Sequence, residues 1–381
     1  MAGPNRPIRI LELRSVRGTG GGPEKTILLG ALMSDPQFQI TVCYMRDQRD
    51  RILGVDQRAA HTGVDYVEVT EKHSFDPGVW PQLRRLIRER EIDVIHSHDY
   101  KTNLLALLLA RAAGVKALST VHGWTGHSLR ERWGYYPADK RLLARFPRAV
   151  AVSSEIRQEL IRCGADPGRV TTVLNGIDHR KFRRDPARVA GARAALGAEP
   201  DNIVIGAVGR LEPQKRFDLL LEAFAVISRR FPRARLFIVG DGSSRRALDE
   251  QIKSLQLGDR CRLVGHVDDV VPAYHAFDLL VQSSDYEGTP NAVLEAMAFE
   301  VPIVATAAGG TAEIVRDGID GRVVPIGQVD LLIRDVTRAL EDPTSATAMA
   351  QQARRRVEGE LSFETRVRRI ESIYSEMVHR A

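Results

Sequence analysis

Cysteine is scarce in this chain: only Cys43, Cys163 and Cys261 occur in 381 residues. Three thiols at wide spacing give neither a disulfide framework nor a metal-ligand pair, and they fit a reducing compartment. Long apolar runs are missing too. The longest, Leu104 to Ala110, falls far short of the roughly 20 residues that a membrane-spanning helix needs. The start, MAGPNRPIRI, enters a strand without the apolar stretch of a secretory signal. Aromatic residues make up only 6%, and no aromatic-rich recognition motif accompanies the basic ones, so nucleic acid is not an expected partner. Fixed-period repeats and low-complexity tracts are absent as well. These absences leave a cytoplasmic protein that would meet a membrane only from its inner surface.

What is present is an ordinary globular composition, 43% apolar and 27% charged. The length suits two domains of a little under about 200 residues each. Fifty-five basic residues against 49 acidic ones give a net charge of +6. That excess reads as solvated helix faces or as attraction for phosphorylated substrates and acidic lipid. The segment Leu129–Arg148 interleaves Trp133, Tyr135, Tyr136 and Phe146 with Arg and Lys. It suits either a solvated helix over the core or peripheral contact with an anionic membrane.

Short apolar runs alternate with longer amphipathic ones. Ile8–Leu13, Gln39–Tyr44, Asp93–His96, Lys116–Val121 and Ala149–Val152 read as buried strands, with helical spacing in Pro81–Glu91 and Lys101–Ala113. The pattern falters from Asn175 to Asp201, where Gly176, Pro186, Gly191, Gly197 and Pro200 suggest an inter-domain connection. A second series follows: Asn202–Gly209, Arg235–Val239, Cys261–Val264, Asp278–Val281 and Pro302–Thr306. Ser362–Val378 reads as one helix with Phe363, Val367, Ile370 and Tyr374 on a face. Such alternation predicts two α/β domains, each a parallel sheet covered by helices, with ligands beyond the carboxyl ends of the strands.

The most informative segment runs from Ser283 through Glu287-Gly288-Thr289-Pro290-Asn291-Ala292-Val293-Leu294-Glu295 to Met297. A strand leads into a loop, and a helix begins near Pro290 or Asn291. Gly288 admits close backbone approach, and the helix start offers unpaired amides and a positive dipole end to phosphate. Glu287 in the loop and Glu295 one turn into the helix can flank a diphosphate, one near a sugar and one near a ribose. A surface loop with two incidental glutamates would contain the same pair, but not the Gly-x-Pro loop around it. Arg210 ends a predicted strand and Lys215 follows the Pro213 turn. Two fixed cations there can neutralise a leaving diphosphate without a metal. No Asp-x-Asp pair stands at this place, and Asp268-Asp269 precedes a helix that it can cap.

These residues resemble the donor-site signature of the retaining GT-B glycosyltransferases of glycosyltransferase family 4, also called glycosyl transferases group 1. The similarity covers nearly the whole chain: Val208-Gly209-Arg210 with Gln214-Lys215, Val239-Gly240-Asp241-Gly242, Asn175-Gly176-Ile177-Asp178, Gly309–Ile314, and Asp317-Gly318 with Gly321. It implies two Rossmann-like doubly wound domains facing across a cleft. Their expected bounds are 1–183 on the acceptor side and 184–361 for the nucleotide sugar, with 362–381 a helix returning to the first domain. Gly209, Gly240, His266, Gly288, Thr289, Pro290, Asn291, Ala292, Val293 and Glu295 are expected around the donor, and Glu287, Arg210, Lys215 and His98 at the reacting centre.

His98, in Asp93-Val94-Ile95-His96-Ser97-His98-Asp99, matches a functional His-x-His position of the family, and His122 in Thr120-Val121-His122-Gly123 is a second candidate on the acceptor side. The glycine loop Gly18-Thr19-Gly20-Gly21-Gly22-Pro23 lacks the third glycine of a dinucleotide fingerprint. The resemblance makes Gly21 and Gly22 donor contacts and Gly20 an acceptor-side one. It implies transfer of a hexosyl unit, with retention, from a nucleoside diphosphate sugar to a hydroxyl of a glycan, a lipid-linked molecule or a small acceptor. A UDP-sugar is favoured over GDP-mannose, and no cofactor or catalytic metal is expected. A nucleotide-sugar epimerase, a nicotinamide oxidoreductase and a non-catalytic nucleotide-sugar sensor are the alternatives.

Overall fold

In the computed structural model, residues 6–15, 22–50, 54–73, 76–124 and 131–379 are described. The chain forms two compact units, one of Met1–Val173 with Glu364–Ala381 and one of Leu174–Phe363. The crossing at 173/174 comes before the expected 183/184 boundary. The reason is local: Asn175 hydrogen bonds through its backbone N to Thr289 Oγ1 (3.2 Å), and Ile177 exchanges backbone hydrogen bonds with Leu361 and Phe363.

The first unit is built on seven strands: β1 (Ile8–Ser15), β2 (Phe38–Asp47), β3 (Asp65–Glu71), β4 (Val94–Ser97), β5 (Lys116–Val121), β6 (Arg148–Ala151) and β7 (Val170–Thr172). All pairings are parallel, in the order β3-β2-β1-β4-β5-β6-β7. The order reverses between β1 and β4, where such a sheet opens a crevice at its carboxyl edge. One face packs on Leu11, Leu13, Ile95 and Ala117 and their helices; on the other, Ile8, Ile10, Val94 and Leu118 meet Ile370, Ile373 and Tyr374 of the helix Phe363–His379. The apolar stripe Val367–Ile370–Tyr374 is thereby buried, as the spacing of the tail predicts. β3 and β7 escape the sequence pattern because β3 is polar at alternate positions and β7 has three residues.

The second unit holds six parallel strands: β8 (Ile203–Val208), β9 (Ala234–Val239), β10 (Cys261–Gly265), β11 (Leu279–Gln282), β12 (Ile303–Thr306) and β13 (Arg322–Val324). Their order is β10-β9-β8-β11-β12-β13, again with one reversal, between β8 and β11. Part of the supposed connection is a helix, Pro186–Leu196, whose Ala192 and Leu196 join the core. Asp185 caps its start, Pro186 occupies the first turn and Gly197 ends it in the left-handed conformation. Two of the residues that read as linker punctuation, Pro186 and Gly197, are this helix's two ends. Among the described residues, no helix is long and apolar enough to cross a membrane. Cys43 and Cys261 are buried and unpaired, and burial pushes both thiols up to about 12.

Candidate active site

In the second unit, the expected donor residues gather at the carboxyl ends of β8, β9 and β11. Gly209 follows β8, Arg210 stands exposed beyond it, and the turn Pro213–Lys215 brings Lys215 back. Lys215 Nζ lies 2.6 Å from Glu287 Oε1, which also accepts from Ser284 Oγ at 2.7 Å. Glu287 is only 8% exposed, so its charge is compensated in place rather than by water. Ser283 Oγ donates to the Lys215 carbonyl and Asp285 N to the Gln214 carbonyl, which fixes the lysine turn against the glutamate loop.

Glycine makes this assembly possible. Gly240 has φ +140°, and a Cβ there would sit 1.9 Å from the Gly209 carbonyl oxygen. Gly309, at φ +51°, passes so close to the Glu287 carbonyl that a Cβ would lie 1.8 Å from its oxygen. Gly310 N then donates to the Gly288 carbonyl at 2.7 Å. The Gly309-Gly310 turn is therefore a buttress for the loop that carries Glu287.

The helix Asn291–Ala298 begins after Pro290, which occupies the capping position rather than the first helical one. Its first internal hydrogen bond runs from Leu294 N to the Pro290 carbonyl, and no side chain caps the end. The amides of Asn291, Ala292 and Val293 thus lack helical acceptors and can take an anion's oxygens. Thr289 is held from behind by Asn175. Glu295 is buried and accepts from the Tyr274 hydroxyl at 2.8 Å; burial, then the Glu295 charge, raises the Tyr274 pKa well above its ordinary value. His266 is not drawn in. It follows β10, is 63% exposed in its side chain and faces Asp268 at 3.6 Å. Asp269 accepts from Val271 N, a turn at the start of the next helix.

In the first unit, the histidines end β4 and β5 beside β1. His98 is 6% exposed, and both ring nitrogens are engaged: Nε2 with Glu12 in a short contact, Nδ1 with His122 Nε2 at 3.3 Å. His98, the residue expected to meet the donor sugar, has a buried ring, and His122, only partly buried, is the more open of the two. Gly20 and Gly21 lie outside the described residues, and Gly22 opens the helix Gly22–Met33.

Burial lowers the His98 pKa to about 4 against the pull of Glu12, and lowers that of His122 well below the ordinary histidine value, aided by the charges of His98, Arg14 and Arg366. Burial opposes ionisation of Glu12, but His96 and His98 outweigh it and hold this carboxyl well below the usual range.

Glu12, His96 and Tyr374 were not singled out in the sequence. The available signal was an acid within the apolar run Ile8–Leu13. Glu12, His96 and His98 form a two-histidine, one-carboxylate set whose ligand atoms lie within 4.8 Å of one another. Those atoms hydrogen bond among themselves, to Thr120 and to Tyr374, with Arg366 beside them.

Two family models match most of the chain: "Glycosyltransferase Family 4" over residues 24–181 and "Glycosyl transferases group 1" over 191–356. The chain is 28% identical to the UDP-Gal:alpha-D-GlcNAc-diphosphoundecaprenol alpha-1,3-galactosyltransferase of Escherichia coli, over 78% of each chain. It is 33% identical to the D-inositol 3-phosphate glycosyltransferase of Kineococcus radiotolerans, over 71% of this chain and 68% of that one. HepE of Anabaena, solved in complex with UDP-glucose, superposes with a TM-score of 0.84 at 21% identity, covering 97% of this chain and all of that one. With two parallel-sheet α/β domains of GT-B type and relatives that transfer sugars, the chain is a glycosyltransferase that belongs to glycosyltransferase family 4.

Proposed function

We propose that this enzyme transfers a hexosyl unit, with retention of configuration and without a metal, from a UDP-hexose to a hydroxyl of a glycan or lipid-linked acceptor. The observation that carries the reading is the buried Lys215–Glu287 pair beside the uncapped amides of Asn291–Val293. Those amides, with Gly288, Thr289 and the Gly209 and Gly240 turns, hold the diphosphate. Arg210 and Lys215 stabilise its negative charge as the glycosidic bond breaks, which removes the need for a divalent cation. Glu287 positions the sugar and Glu295 the ribose. Neither glutamate is free to act as a covalent nucleophile, since Lys215 and Ser284 occupy one and Tyr274 the other. Same-face attack follows, with a departing phosphate oxygen taking the acceptor's proton. On the first unit, His122 binds a hydroxyl of the reacting sugars, with His98 behind it and the glycine loop, Gly20 to Gly22, alongside. The UDP preference and a diphosphate-lipid acceptor are supported by the named reaction of the E. coli relative.

The test is product analysis by NMR after incubation with UDP- and GDP-hexoses, with and without EDTA. An α-linked product from an α-configured donor, formed in EDTA, is expected. An inverted product defeats same-face attack, a strict divalent requirement defeats the cation argument, and epimer formation without acceptor would favour an epimerase.

An exposed stripe suits peripheral contact with an anionic bilayer at the cytoplasmic face. Tyr100, Leu104 and Leu108 are 39–43% exposed at four-residue spacing, Tyr135 stacks on Tyr100 at 5.4 Å, and Trp133 is 81% exposed. Arg111, Arg141 and Arg145 are exposed on the same pair of helices or just beyond them. Wild-type protein should float with anionic vesicles and the Leu104→Glu/Leu108→Glu variant should not; a wild type that stays at the bottom disposes of this contact.

A further inference from the structure

We propose that Glu12, His98 and Tyr374 hold His122 in one tautomer, Nε2–H turned inward and a bare Nδ1 outward, so that it accepts a hydrogen bond from a substrate hydroxyl. This rests on the reading of His122 as a hydroxyl-binding group. The protons on His98 and His122 follow from the Glu12 carboxylate. Glu12 as a carboxylate can only accept. His98 Nε2 therefore donates to Glu12 Oε2, and the Tyr374 hydroxyl donates to Glu12 Oε1 at 2.8 Å. Tyr374, having given its proton, receives one from His96 Nδ1 at 2.6 Å, and His96 Nε2 accepts from Thr120 Oγ1 at 2.7 Å.

A neutral imidazole with a proton on Nε2 has none on Nδ1. His98 Nδ1 must therefore accept, and among the described residues the donor facing it is His122 Nε2, at 3.3 Å, with the ring centroids 5.6 Å apart and the planes inclined by 27°. His122, neutral in its turn, is left with an unprotonated Nδ1. The surroundings oppose a second proton on either ring: loss of water contact disfavours the charged form of both, and Arg14 and Arg366 carry like charge near His122. Among the described residues, none contacts Nδ1 of His122. A bare nitrogen at the carboxyl end of β5 prefers a hydroxyl to a carbonyl or a phosphate, which have no proton to give. Glu12, His96, His98 and Tyr374 touch no substrate in this scheme; they are positioning residues, and the C-terminal helix contributes one of them.

Two measurements test the relay. In protein labelled with 15N-histidine, His122, assigned by its loss in His122→Gln, should appear as the neutral Nε2–H tautomer from pH 6 to 8. An Nδ1–H form, or a mixture of both, overturns the proposal whether or not the protein transfers sugars. For activity, His98→Phe removes the inward acceptor, whereas His98→Asn keeps an amide oxygen near the place of Nδ1. Loss of one oriented hydrogen bond should lower kcat/KM about tenfold in His98→Phe, with at least partial recovery in His98→Asn. A residue that only fills space predicts the opposite ranking, since asparagine leaves the larger void; that ranking in folded variants would sink the relay. Should wild-type protein show no transfer while its His122 has the expected tautomer, the functional reading fails and the relay stands.

Discussion

Replacing Lys215 by alanine is expected to cut turnover at saturating donor by roughly 10²–10³-fold. Lys215 has two jobs that this substitution removes together. In the proposed reaction its ammonium stands where charge develops on the leaving diphosphate, and it neutralises Glu287, with side-chain exposures of 16% and 9% for the pair. Stranding one member of a buried pair costs about 3–5 kcal/mol, so the urea midpoint should fall as well. The double variant Lys215→Met/Glu287→Gln separates the jobs. It should regain stability, because no charge is left unpaired, yet stay as slow as Lys215→Ala or slower. Recovery of turnover in the double variant would show that Lys215 serves only its glutamate and would remove it from the chemistry.

The second large effect is expected at Gly309. Alanine there must adopt φ near +51° and place Cβ 1.8 Å from the Glu287 carbonyl oxygen, so the Glu287–Gly288 loop has to shift. Left-handed backbone alone costs alanine on the order of 1 kcal/mol. Overlap with a backbone carbonyl should raise the loss to about 3 kcal/mol or more, with donor binding weakened in whatever fraction remains folded. Gly327 is the control: its φ is +74°, but nothing lies within 4 Å of its would-be Cβ. Gly327→Ala should pay only the conformational cost and keep activity. Equal stability and activity in the two variants would mean that the buttress does not hold the loop.

The sequence carried far more about the second unit than about the first, and the difference has a cause. Arg210, Lys215, Glu287 and Glu295 belong to two short segments whose strand-loop-helix grammar is local. Glycine, proline and an uncapped helix start can be read within a window of fifteen or so residues. The network behind His122 has no such grammar. Glu12 meets His98 and Tyr374 across separations of 86 and 362 residues. Without the sheet order β1-β4-β5 and the return of the last helix, Glu12 is an acid in an apolar strand and nothing more.

By itself, then, the sequence determined the class of fold, the strands of both sheets except short or polar edges, and the loop and uncapped helix start that follow β11 in the second unit, because these depend on periodicity and on backbone preferences that act over neighbouring residues. Only the tertiary structure decided that the stretch before Asp201 contains a helix of the second unit's core, that His98 is enclosed while His122 is the more open, and that Gly309 shores up Glu287. Those outcomes depend on which distant surfaces exclude water from one another and on how protons are shared once water has gone, and neither is written in any single stretch of chain.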